Sequence, residues 1–404
     1  MIARSPTVER VLKGELCSGC GLCAGVSNGA IAMRSAEPGF ARPQQTAPIT
    51  EEAERVIADS CPGSRVAPWA DGPNRNPYWG PARETLTGFA QDPAARHAGA
   101  SGGALSVLAI HALESGVVTR VLHVEADPGE PTGNRMRWSR NRDEVLAGAG
   151  SRYAASSPLE FIDAALGEGE RFAFIGKPCD VSALRQLARH DPRVDQLIPI
   201  KLSFYCGGLP SRAGAHRVIR AMGLEPDEVV AFRYRGNGWP GLTLAETRGG
   251  DMGEMRYADS WGAHLSKEVQ FRCKICPDAV GAVADIACAD AWYGEGGYPS
   301  FEEQDGRSLI QVRSEAGEAL YRSAVAAGVL SAEPLGVDQI ELMQPSQANR
   351  KRLVSSRTAA CRVMFQPVPA MAGLDVGKAA KLAPMAMRLR NFLGTISRIL
   401  KAKR

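Results

Sequence analysis

Several features that would place this protein among membrane or secreted proteins are missing from its sequence. No stretch approaches the roughly 20 apolar residues that a membrane-spanning helix needs. The N-terminal segment MIARSPTVERVLKG has no apolar core of a secretory signal. Without an export signal, the ten cysteines argue against a disulfide framework and favour metal or redox chemistry in a reducing compartment. We therefore predict a cytoplasmic protein, and a peripheral contact with the membrane stays open.

Motifs of several large enzyme classes are also missing. The sequence has no P-loop, no G-x-S-x-G and no G-x-G-x-x-G after a predicted strand, so kinase, triad-hydrolase and Rossmann functions lack support. None of the six histidines stands at a metal-ligand spacing. Net charge is +4, but residues 376–404 carry eight Lys or Arg and no acid, so the remainder is about −4 (4 minus 8). A nucleic-acid-binding function is not expected, since it would need a basic domain face.

Length and composition predict a globular protein of two or three domains. The chain has 404 residues, of which 44% are hydrophobic and 23% charged, and it can bury a core without disulfides. Strands are predicted at 171–176 and 198–205, with a helix at 180–190 that Asp180 would cap. This alternation predicts an α/β (α+β) fold with a parallel or mixed sheet. A series of turns is expected at 236–253.

Four cysteines near the N-terminus follow the spacing of a ferredoxin-type cluster. Cys17, Cys20 and Cys23 form C-x2-C-x2-C, and Cys61 stands downstream, directly before a proline. A tight glycine-containing loop can wrap three thiolates around one face of a [4Fe–4S] cluster, and the remote Cys-Pro would supply the fourth. No second run of this kind exists, so we assign all four to one cluster. The alternative is a zinc site, although zinc prefers separated C-x2-C pairs.

A second set of cysteines is predicted to meet at an edge of the sheet. Cys273 and Cys276 form the C-x2-C pair of RCKICPD, while Cys179 and Cys206 each follow one of the two predicted strands. Parallel strands of one sheet end at the same edge, so Cys179 and Cys206 should lie close together, with the pair closing over them. We predict a second [4Fe–4S] cluster. Structural zinc and inert buried cysteines are the alternatives.

Two segments have the composition of a phosphate or dinucleotide site. The sequence ASGG at residues 100–103 opens an apolar helix predicted over 102–114, and free amides at a helix N-terminus bind phosphate. The sequence GSRYAASSP at residues 150–158 combines hydroxyls, an arginine and a tyrosine, which suits a dinucleotide. The alternatives are an ordinary helix start capped by Ser101 and a polar surface loop.

Eight motifs occur in an order that resembles one protein family. From the N-terminus they are C-x2-C-x2-C…CP, ASGGA, GSRYAASSP, GKPCD, SFYCGG, FRYRGNGWPG, FRCKICPD and ADIACADAW. Together they resemble the beta-subunit family of the deazaflavin (coenzyme F-420) reducing hydrogenases and dehydrogenases, which also includes ferredoxin-dependent chlorophyll-pathway reductases. The resemblance covers most of the chain and is greatest to members of unknown substrate.

This resemblance implies an iron–sulfur flavoprotein oxidoreductase. Electrons from a ferredoxin or another redox partner would pass through one or two [4Fe–4S] clusters to FAD, and on to an organic acceptor. The cluster ligands would be eight cysteines: Cys17, Cys20, Cys23, Cys61, Cys179, Cys206, Cys273 and Cys276. The family's FAD contacts would fall on seven residues: Ser101, Gly102, Gly103, Ser151, Arg152, Tyr153 and Ser157.

Four more residues are candidates for chemistry at the flavin and its acceptor. Lys177 flanks Cys179 and is the candidate catalytic residue, which would stabilise a reduced, anionic flavin or donate a proton. The alternative is a lysine that contacts a phosphate or only solvent. Arg233, Arg235 and Trp239 would frame an acidic or planar acceptor, or else form a turn with ion pairs.

The predicted organisation has three parts. Residues 1–80 form a small ferredoxin-like [4Fe–4S] module, 81–340 the FAD-binding core with the second iron–sulfur site, and 341–404 a basic helical tail. The first boundary lies in the turn-rich segment 69–83. The tail is amphipathic, so we predict contact with a membrane surface or a protein, against a solvated helix packed on the core. The alternative functions are an electron-transfer subunit without its own substrate, and a zinc-stapled binding module or redox sensor.

Overall fold

The N-terminal part of the chain forms a small unit of three helices and one hairpin. The structure is a computed structural model that describes residues 1–69, 74–295 and 298–401. The elements of this unit are α1 Pro6–Lys13, α2 Leu22–Gly25, β1 Ile31–Ala36, β2 Phe40–Gln45 and α3 Glu51–Ser60. Ser5 and Thr50 cap α1 and α3 through their side-chain oxygens. Apolar side chains of these elements pack together as a separate cluster.

A mixed eight-stranded sheet forms the centre of the molecule. In spatial order its strands are β17 Leu330–Pro334, β5 Glu84–Ala90, β16 Ser308–Val312, β13 Ile286–Asp290, β9 Ile200–Phe204, β8 Phe172–Gly176, β6 Arg120–Asp127 and β7 Glu130–Ser139. The four strands β13, β9, β8 and β6 are parallel to one another, and the outer strands pair antiparallel. The predicted strand–helix–strand unit is confirmed, and so is the mixed α/β class.

Helices cover both faces of this sheet. The helices of this part of the chain are α4 Pro93–Ala98, α5 Ala104–Glu114, α6 Arg142–Ala147, α7 Ile162–Gly167, α8 Pro178–Leu187, α9 Arg193–Leu197, α10 Arg212–Ala221, α11 Tyr257–Asp259, α12 Phe271–Lys274 and α13 Glu315–Ala326, and α10 packs on a smaller sheet described below. Side chains along β8 point alternately to the two faces of the sheet. Ala173 packs in the core under α5, α6 and α13, whereas Phe172 and Phe174 pack in the core under α7 and α8. The N-terminal unit lies on this second face, where α3 packs on α8.

Helix α8 begins earlier than the sequence predicts. Asp180 is not its N-cap, because Pro178 occupies the first turn and fixes the start of the helix after Lys177. The Asp180 carboxylate instead accepts a hydrogen bond from the backbone amide of Lys177, at 3.0 Å. The side chain still stabilises the start of the helix, but from its third position.

The prediction of turns over 236–253 holds for 236–241 and 248–251 but not for the rest of the segment. This segment contributes β11 Leu242–Thr247 and the start of β12 Met252–Arg256, which form a three-stranded antiparallel sheet with β10 Val229–Arg233. The glycines that suggested turns lie at the strand ends, while buried and exposed residues alternate along β11. Two short hairpins are β3 Asn74–Asn76 with β4 Gly80–Ala82, and β14 Gly294–Glu295 with β15 Tyr298–Pro299. The predicted boundary at 69–83 includes residues 70–73, which lie outside the described residues.

The C-terminal part is helical. It consists of α14 Ile340–Met343, α15 Pro345–Val363, α16 Val376–Lys381 and α17 Met385–Leu400. Single 3-10 or π-helical turns occur at Pro226–Glu228, Ser260–His264, Leu265–Glu268 and Val337–Gln339. Within the ranges that the structure describes, no helix has the length and apolar character needed to cross a membrane.

Candidate functional site

A cavity of about 650 Å³ opens where the parallel strands end. Its wall includes Lys177 after β8, Cys206 after β9 and Asp290 at the end of β13. The carboxyl edge of parallel strands is where α/β proteins bind ligands. The volume lies within the range of small-molecule and cofactor sites.

The second set of cysteines meets beside this cavity. Cys179 lies in the first turn of α8, Cys206 follows β9, and Cys273 and Cys276 lie in and after α12. Burial raises the pKa of the Cys179 thiol, and negative charge on Cys206 and Cys276 raises it further. Burial and the charge on Cys273 raise the pKa of Cys206 to about 12. The four thiols therefore lie within electrostatic range of one another, with Cys206 on the cavity wall.

The first set of cysteines meets inside the N-terminal unit. Cys17, Cys20 and Cys23 are buried, and Cys61 at the end of α3 is half-buried. Burial raises the pKa of Cys20 and Cys23, and charge on Cys61 is the next cause in both. Burial and the charge on Cys17 raise the pKa of Cys61 to about 11. The structure thus brings together all four members of the predicted set.

The loop of the first set is built against the segment that follows the predicted flavin loop. Gly21 has φ +86°, and a Cβ atom there would lie 2.7 Å from the backbone nitrogen of Glu160. The Leu159 amide donates to the Cys20 carbonyl at 2.9 Å. Glycine is therefore required where the two backbones approach, and the loop of the first set packs against the end of the predicted flavin loop.

The donor chemistry of both sets fits iron–sulfur ligation. Over residues 1–69, 74–295 and 298–401, no three His, Cys, Asp or Glu side chains converge as ligands of a single metal ion. A cubane binds one thiolate at each of four irons, so its ligands surround a volume instead of a point. Amides of Gly19 and Leu209 each donate to a sulfur, of Cys17 and Cys273 respectively, at 3.4 Å. Buried thiols with amide donors suit cluster thiolates, and the assignment of the eight ligands stays a prediction.

The start of α5 has no side-chain cap. Gly103 stands at the N-cap with φ +74°, and no side chain caps the helix. Capping by Ser101 is therefore excluded, and the first amides of an eleven-residue helix keep their positive potential. Ser101 and Gly103 line the cavity. Gly102 packs on the backbone of Gly306, where a Cβ atom would lie 2.8 Å from the carbonyl carbon.

The predicted flavin loop borders the cavity, with Ser151, Arg152 and Tyr153 in its wall. The Arg152 guanidinium donates to Asn134, at 2.8 Å, and to three backbone carbonyls. Arg152 thus fixes the loop against neighbouring strands, and its contact with a phosphate stays a prediction. Ser157 has φ +45° and is buried.

Aromatic rings also line the cavity. They belong to Tyr153, Tyr257, Trp261, Trp292 and Phe301. The Tyr153 and Trp261 ring centroids are 4.9 Å apart, and the Tyr257 and Trp292 rings stack at 6.0 Å. A wall of this kind suits a planar ring system.

Two of the three residues predicted to frame an acceptor are bound within the protein. Arg235 donates to both carboxylate oxygens of Asp290, at 3.0 and 2.8 Å, and Trp239 Nε1 donates to Asp290 at 2.8 Å. The alternative of a turn with ion pairs therefore holds for Arg235, which nevertheless lines the cavity. Arg233 is half-buried beside Gly150, and burial lowers its pKa. No acceptor for the Arg233 guanidinium occurs in the described part of the chain.

Several residues that complete the site were missed in the sequence. Arg350 and Gln347 of α15 donate to the carbonyl of Cys206, at 2.9 and 3.1 Å. They stand more than 140 residues away, and no motif surrounds them. Arg272, by contrast, directly precedes Cys273. A basic residue next to a predicted cluster ligand was a signal that could have pointed to it.

A second cleft, of about 370 Å³, lies beside the first cysteine set. We call it the basic cleft; it is lined by Arg10, Ala58, Asp59, Ser64, Arg65, Arg362, Val368, Pro369 and Ala370. The amides of Ser64 and Arg65 donate to the Cys61 carbonyl at 2.9 and 2.8 Å. The most accessible cysteine of the first set is therefore next to a surface with three arginines and one carboxylate.

Comparisons with known proteins agree with this architecture. The family profile "Coenzyme F420 hydrogenase/dehydrogenase, beta subunit N-term" matches residues 85–163, and the profile for the C-terminal part of the same beta subunit matches residues 169–338. Together they cover more than half of the chain. The first cysteine set and α15–α17 lie outside both ranges. The second set and the predicted FAD contacts lie inside them.

Relatives and a solved structure match at low identity. "Coenzyme F420 hydrogenase subunit beta" of Methanococcus voltae is 27% identical over 274 residues, which is 63% of this chain and 88% of the relative. "7-hydroxymethyl chlorophyll a reductase, chloroplastic" of Oryza sativa is 23% identical over 57% of this chain and 47% of the relative. A chain of the F420-reducing [NiFe] hydrogenase complex from Methanosarcina barkeri has a TM-score of 0.55 and 20% identity, with 71% of this chain and 96% of that chain covered.

The solved structure shows the same fold, and the profiles confirm the resemblance drawn from the eight motifs. The chain belongs to the family of coenzyme F420 hydrogenase/dehydrogenase beta subunits, which are subunits of oxidoreductases.

Proposed function

We propose that the chain is an iron–sulfur flavoprotein oxidoreductase. It takes electrons from a ferredoxin-like donor through two [4Fe–4S] clusters to FAD, and reduces an organic acceptor. The observation that carries the proposal is the place of Cys206, which belongs to the second cysteine set and also lines the cavity. A cluster held by this set would therefore share a wall with the flavin site.

The residues that would hold FAD are those around the open start of α5 and the loop at 150–158. Free amides after Ser101 and Gly103 suit the pyrophosphate. Tyr153 and Trp261 would pack on a ring system and keep water away from it. When bound, the flavin supplies two-electron chemistry toward the acceptor and one-electron chemistry toward the clusters.

Lys177 is the residue of the chain that would act on the reacting part of the flavin. Lys177 follows the end of β8, and its side chain lines the cavity next to the loop at 150–158. The Nζ atom lies 3.4 Å from Ser156 Oγ. A fixed ammonium at this position would stabilise negative charge that develops on reduction. Arg233 lies next to Gly150 of the cavity wall and has no acceptor among the described residues, which makes it the candidate for binding an acidic acceptor.

Electrons would enter at the basic cleft. The cleft lies next to Cys61, the least buried cysteine of its set, and its three arginines complement an acidic carrier protein. This arrangement supports a division of labour among three segments. Residues 1–80 would accept electrons, 81–340 would bind flavin and acceptor, and 341–404 would cover the second set and provide a surface helix.

A second candidate is an electron-transfer subunit of a larger complex, without its own substrate. It is favoured by the relatives, since one is named a subunit and the solved neighbour belongs to a hydrogenase complex. The cavity, with its aromatic wall, favours the enzyme. A stable stoichiometric partner on purification, together with no turnover of any acceptor, would favour the subunit.

Helix α17 is proposed as the contact with an anionic membrane surface. Met385, Leu389, Leu393 and Leu400 are more than half exposed and lie within about 80° of the helix circumference, at roughly 100° per residue. Replacing Leu389 by Glu should reduce sedimentation with vesicles of equal parts phosphatidylcholine and phosphatidylglycerol. Retention of vesicle binding in this variant would contradict a lipid contact through this face, and loss of a protein partner instead would indicate a protein contact.

The proposed electron path is tested by anaerobic reduction of the flavin. Dithionite-reduced bacterial ferredoxin, freed of excess dithionite, should bleach the flavin absorbance of the holoprotein, at a rate that falls with added salt. Reversing the charges of Arg65 and Arg362 to Glu should slow this reaction by about tenfold or more at low salt. The same variant should react normally with methyl viologen radical, and so should Arg248→Glu with ferredoxin, because Arg248 is 71% exposed and outside the cleft. Flavin that ferredoxin cannot reduce in the wild type would contradict the proposed donor.

A further inference from the structure

Arg272 is buried between the two sets of cysteines. It lies in α12, one residue before Cys273, and only 2% of its surface is exposed. Its Nη2 atom donates to the carbonyl of Pro62 at 3.0 Å. Because Pro62 directly follows Cys61, the guanidinium of Arg272 connects the helix that carries one set to the turn that carries the other.

The charge of Arg272 acts on thiols of both sets. Of the second set, Cys276, Cys179 and Cys273 lie within electrostatic range of the guanidinium. Of the first set, Cys17 and Cys61 lie within electrostatic range of the same guanidinium. One cation therefore lies within electrostatic range of both predicted cluster sites.

This cation has no carboxylate partner among the described residues, and its Nε atom has no hydrogen-bond partner there. An uncompensated buried guanidinium is costly, so the fold that keeps it needs nearby negative charge. Thiolates and the clusters that they bind carry such charge. Among the described residues, the groups near Arg272 that can carry negative charge are cysteines of the two sets.

We propose that Arg272 is a shared positioning residue, a counter-charge that raises the reduction potentials of both [4Fe–4S] clusters together. The inference rests on the proposed function, since it requires both clusters. Each cluster gains one electron on reduction while the arginine keeps its charge, so the more reduced state is stabilised at both sites. A single residue would then keep the two potentials close to each other along the electron path.

Two other arginines provide controls, because the thiols on which each charge is found to act belong to a single set. Arg42 interacts with Cys17 of the first set and donates to Gln270 Oε1 at 3.1 Å. Arg350 interacts with Cys206 and Cys276 of the second set, and it donates to the carbonyl of Cys206 at 2.9 Å. Substitution of each of the three arginines should therefore change the two cluster potentials in a different pattern.

The test is an anaerobic redox titration of the holoprotein, followed by electron paramagnetic resonance, on the wild type and four variants. Arg272→Gln should lower both potentials, with about a tenfold loss in the equilibrium constant for reduction, which is 59 mV for one electron. Arg42→Gln should lower only the potential of the first cluster, and Arg350→Gln only that of the second. Arg272→Lys, which keeps the charge, should leave both close to the wild type.

Each outcome decides between a shared charge and a local role. A shift of one potential or of neither in iron-replete Arg272→Gln would overturn the inference. If Arg272→Gln assembles no clusters, Arg272→Lys decides: full iron and unchanged potentials support the charge, while loss of iron in both assigns Arg272 a structural role. A wild type without two cluster signals refutes the proposed function itself, and this is read before any variant.

Discussion

The Nζ atom of Lys177 lies 2.7 Å from Oδ2 of Asp180, at the wall of the cavity. Asp180 is buried, and the Lys177 side chain is 12% exposed. Burial alone would lower the pKa of Lys177, but the carboxylate and the thiols of Cys179 and Cys206 outweigh it, so the pKa is raised. The ammonium therefore stays charged at neutral pH. Between the two roles predicted for Lys177, this relationship favours a fixed charge over proton donation.

The potential of the bound flavin should depend on this charge. Lys177→Met alone would leave Asp180 buried and unpaired, so we compare the double variant with Asp180→Asn. The double variant should bind flavin and have a lower midpoint potential than Asp180→Asn, because it lacks a positive charge whose interaction with the reduced flavin is about 1–3 kcal/mol at an effective dielectric constant of about 20. Lys177→Arg should keep the potential. Spectroelectrochemical titration measures it, and equal potentials in the double variant and Asp180→Asn would contradict the role of Lys177.

The two cysteine sets should lose their iron independently. Cys20→Ser removes a ligand of the first set, and Cys276→Ser one of the second, so each should reduce the iron content from about eight to about four per chain. Cys288→Ala is the control, because Cys288 is buried in β13 and belongs to neither set. Iron analysis with the visible spectrum checks this. Unchanged iron in either serine variant would refute the corresponding set.

A negative charge at the start of α5 should weaken flavin binding without lowering the stability of the FAD-free protein. Ser101→Asp places a carboxylate beside the open N-terminus of this helix, which favours the helix dipole but repels a pyrophosphate. We expect at least about a tenfold weaker FAD affinity, which is about 1.4 kcal/mol, with a melting temperature of the FAD-free protein that is unchanged or higher. Ser101→Asn is the neutral control. Undiminished flavin binding in Ser101→Asp would move the phosphate site elsewhere.

His123 should make the stability of the protein depend on acid pH. It is buried and its Nε2 atom lies 2.7 Å from Ser139 Oγ. Burial, together with the charge of Arg137, lowers its pKa from 6.5 to about 4. In the unfolded chain this histidine binds a proton at higher pH than in the folded protein. Its contribution to the free energy of unfolding is therefore complete above pH 6.5 and is lost as the pH falls toward 4.

In that interval His123 should make the free energy of unfolding change by up to about 1.4 kcal/mol per pH unit. Denaturant unfolding of His123→Gln should show a weaker dependence on pH than the wild type. His97→Gln is the control, since His97 is exposed in the fold. A pH dependence that is equal in His123→Gln and the wild type would show that another group is responsible.

Local patterns predicted the unit that carries the second cysteine set, but not its surroundings. Strands β8 and β9 with α8 between them followed from alternating apolar segments, and this placed Cys179 and Cys206 at one edge. The ion pair of Arg235 with Asp290 joins residues 55 positions apart, and no local pattern specifies such a distance. The contact of Arg350 with Cys206 likewise depends on how α15 returns to the sheet.

The central claim is tested most directly by quantifying iron, zinc and flavin per chain in protein purified without oxygen. The account predicts about eight irons and one FAD, no stoichiometric zinc, and a broad visible absorbance in addition to the flavin bands. About four irons with FAD would remove one cluster, and the two serine variants would identify which. Zinc in place of iron, with no flavin, would contradict the account and make the chain a zinc-stapled binding module or redox sensor.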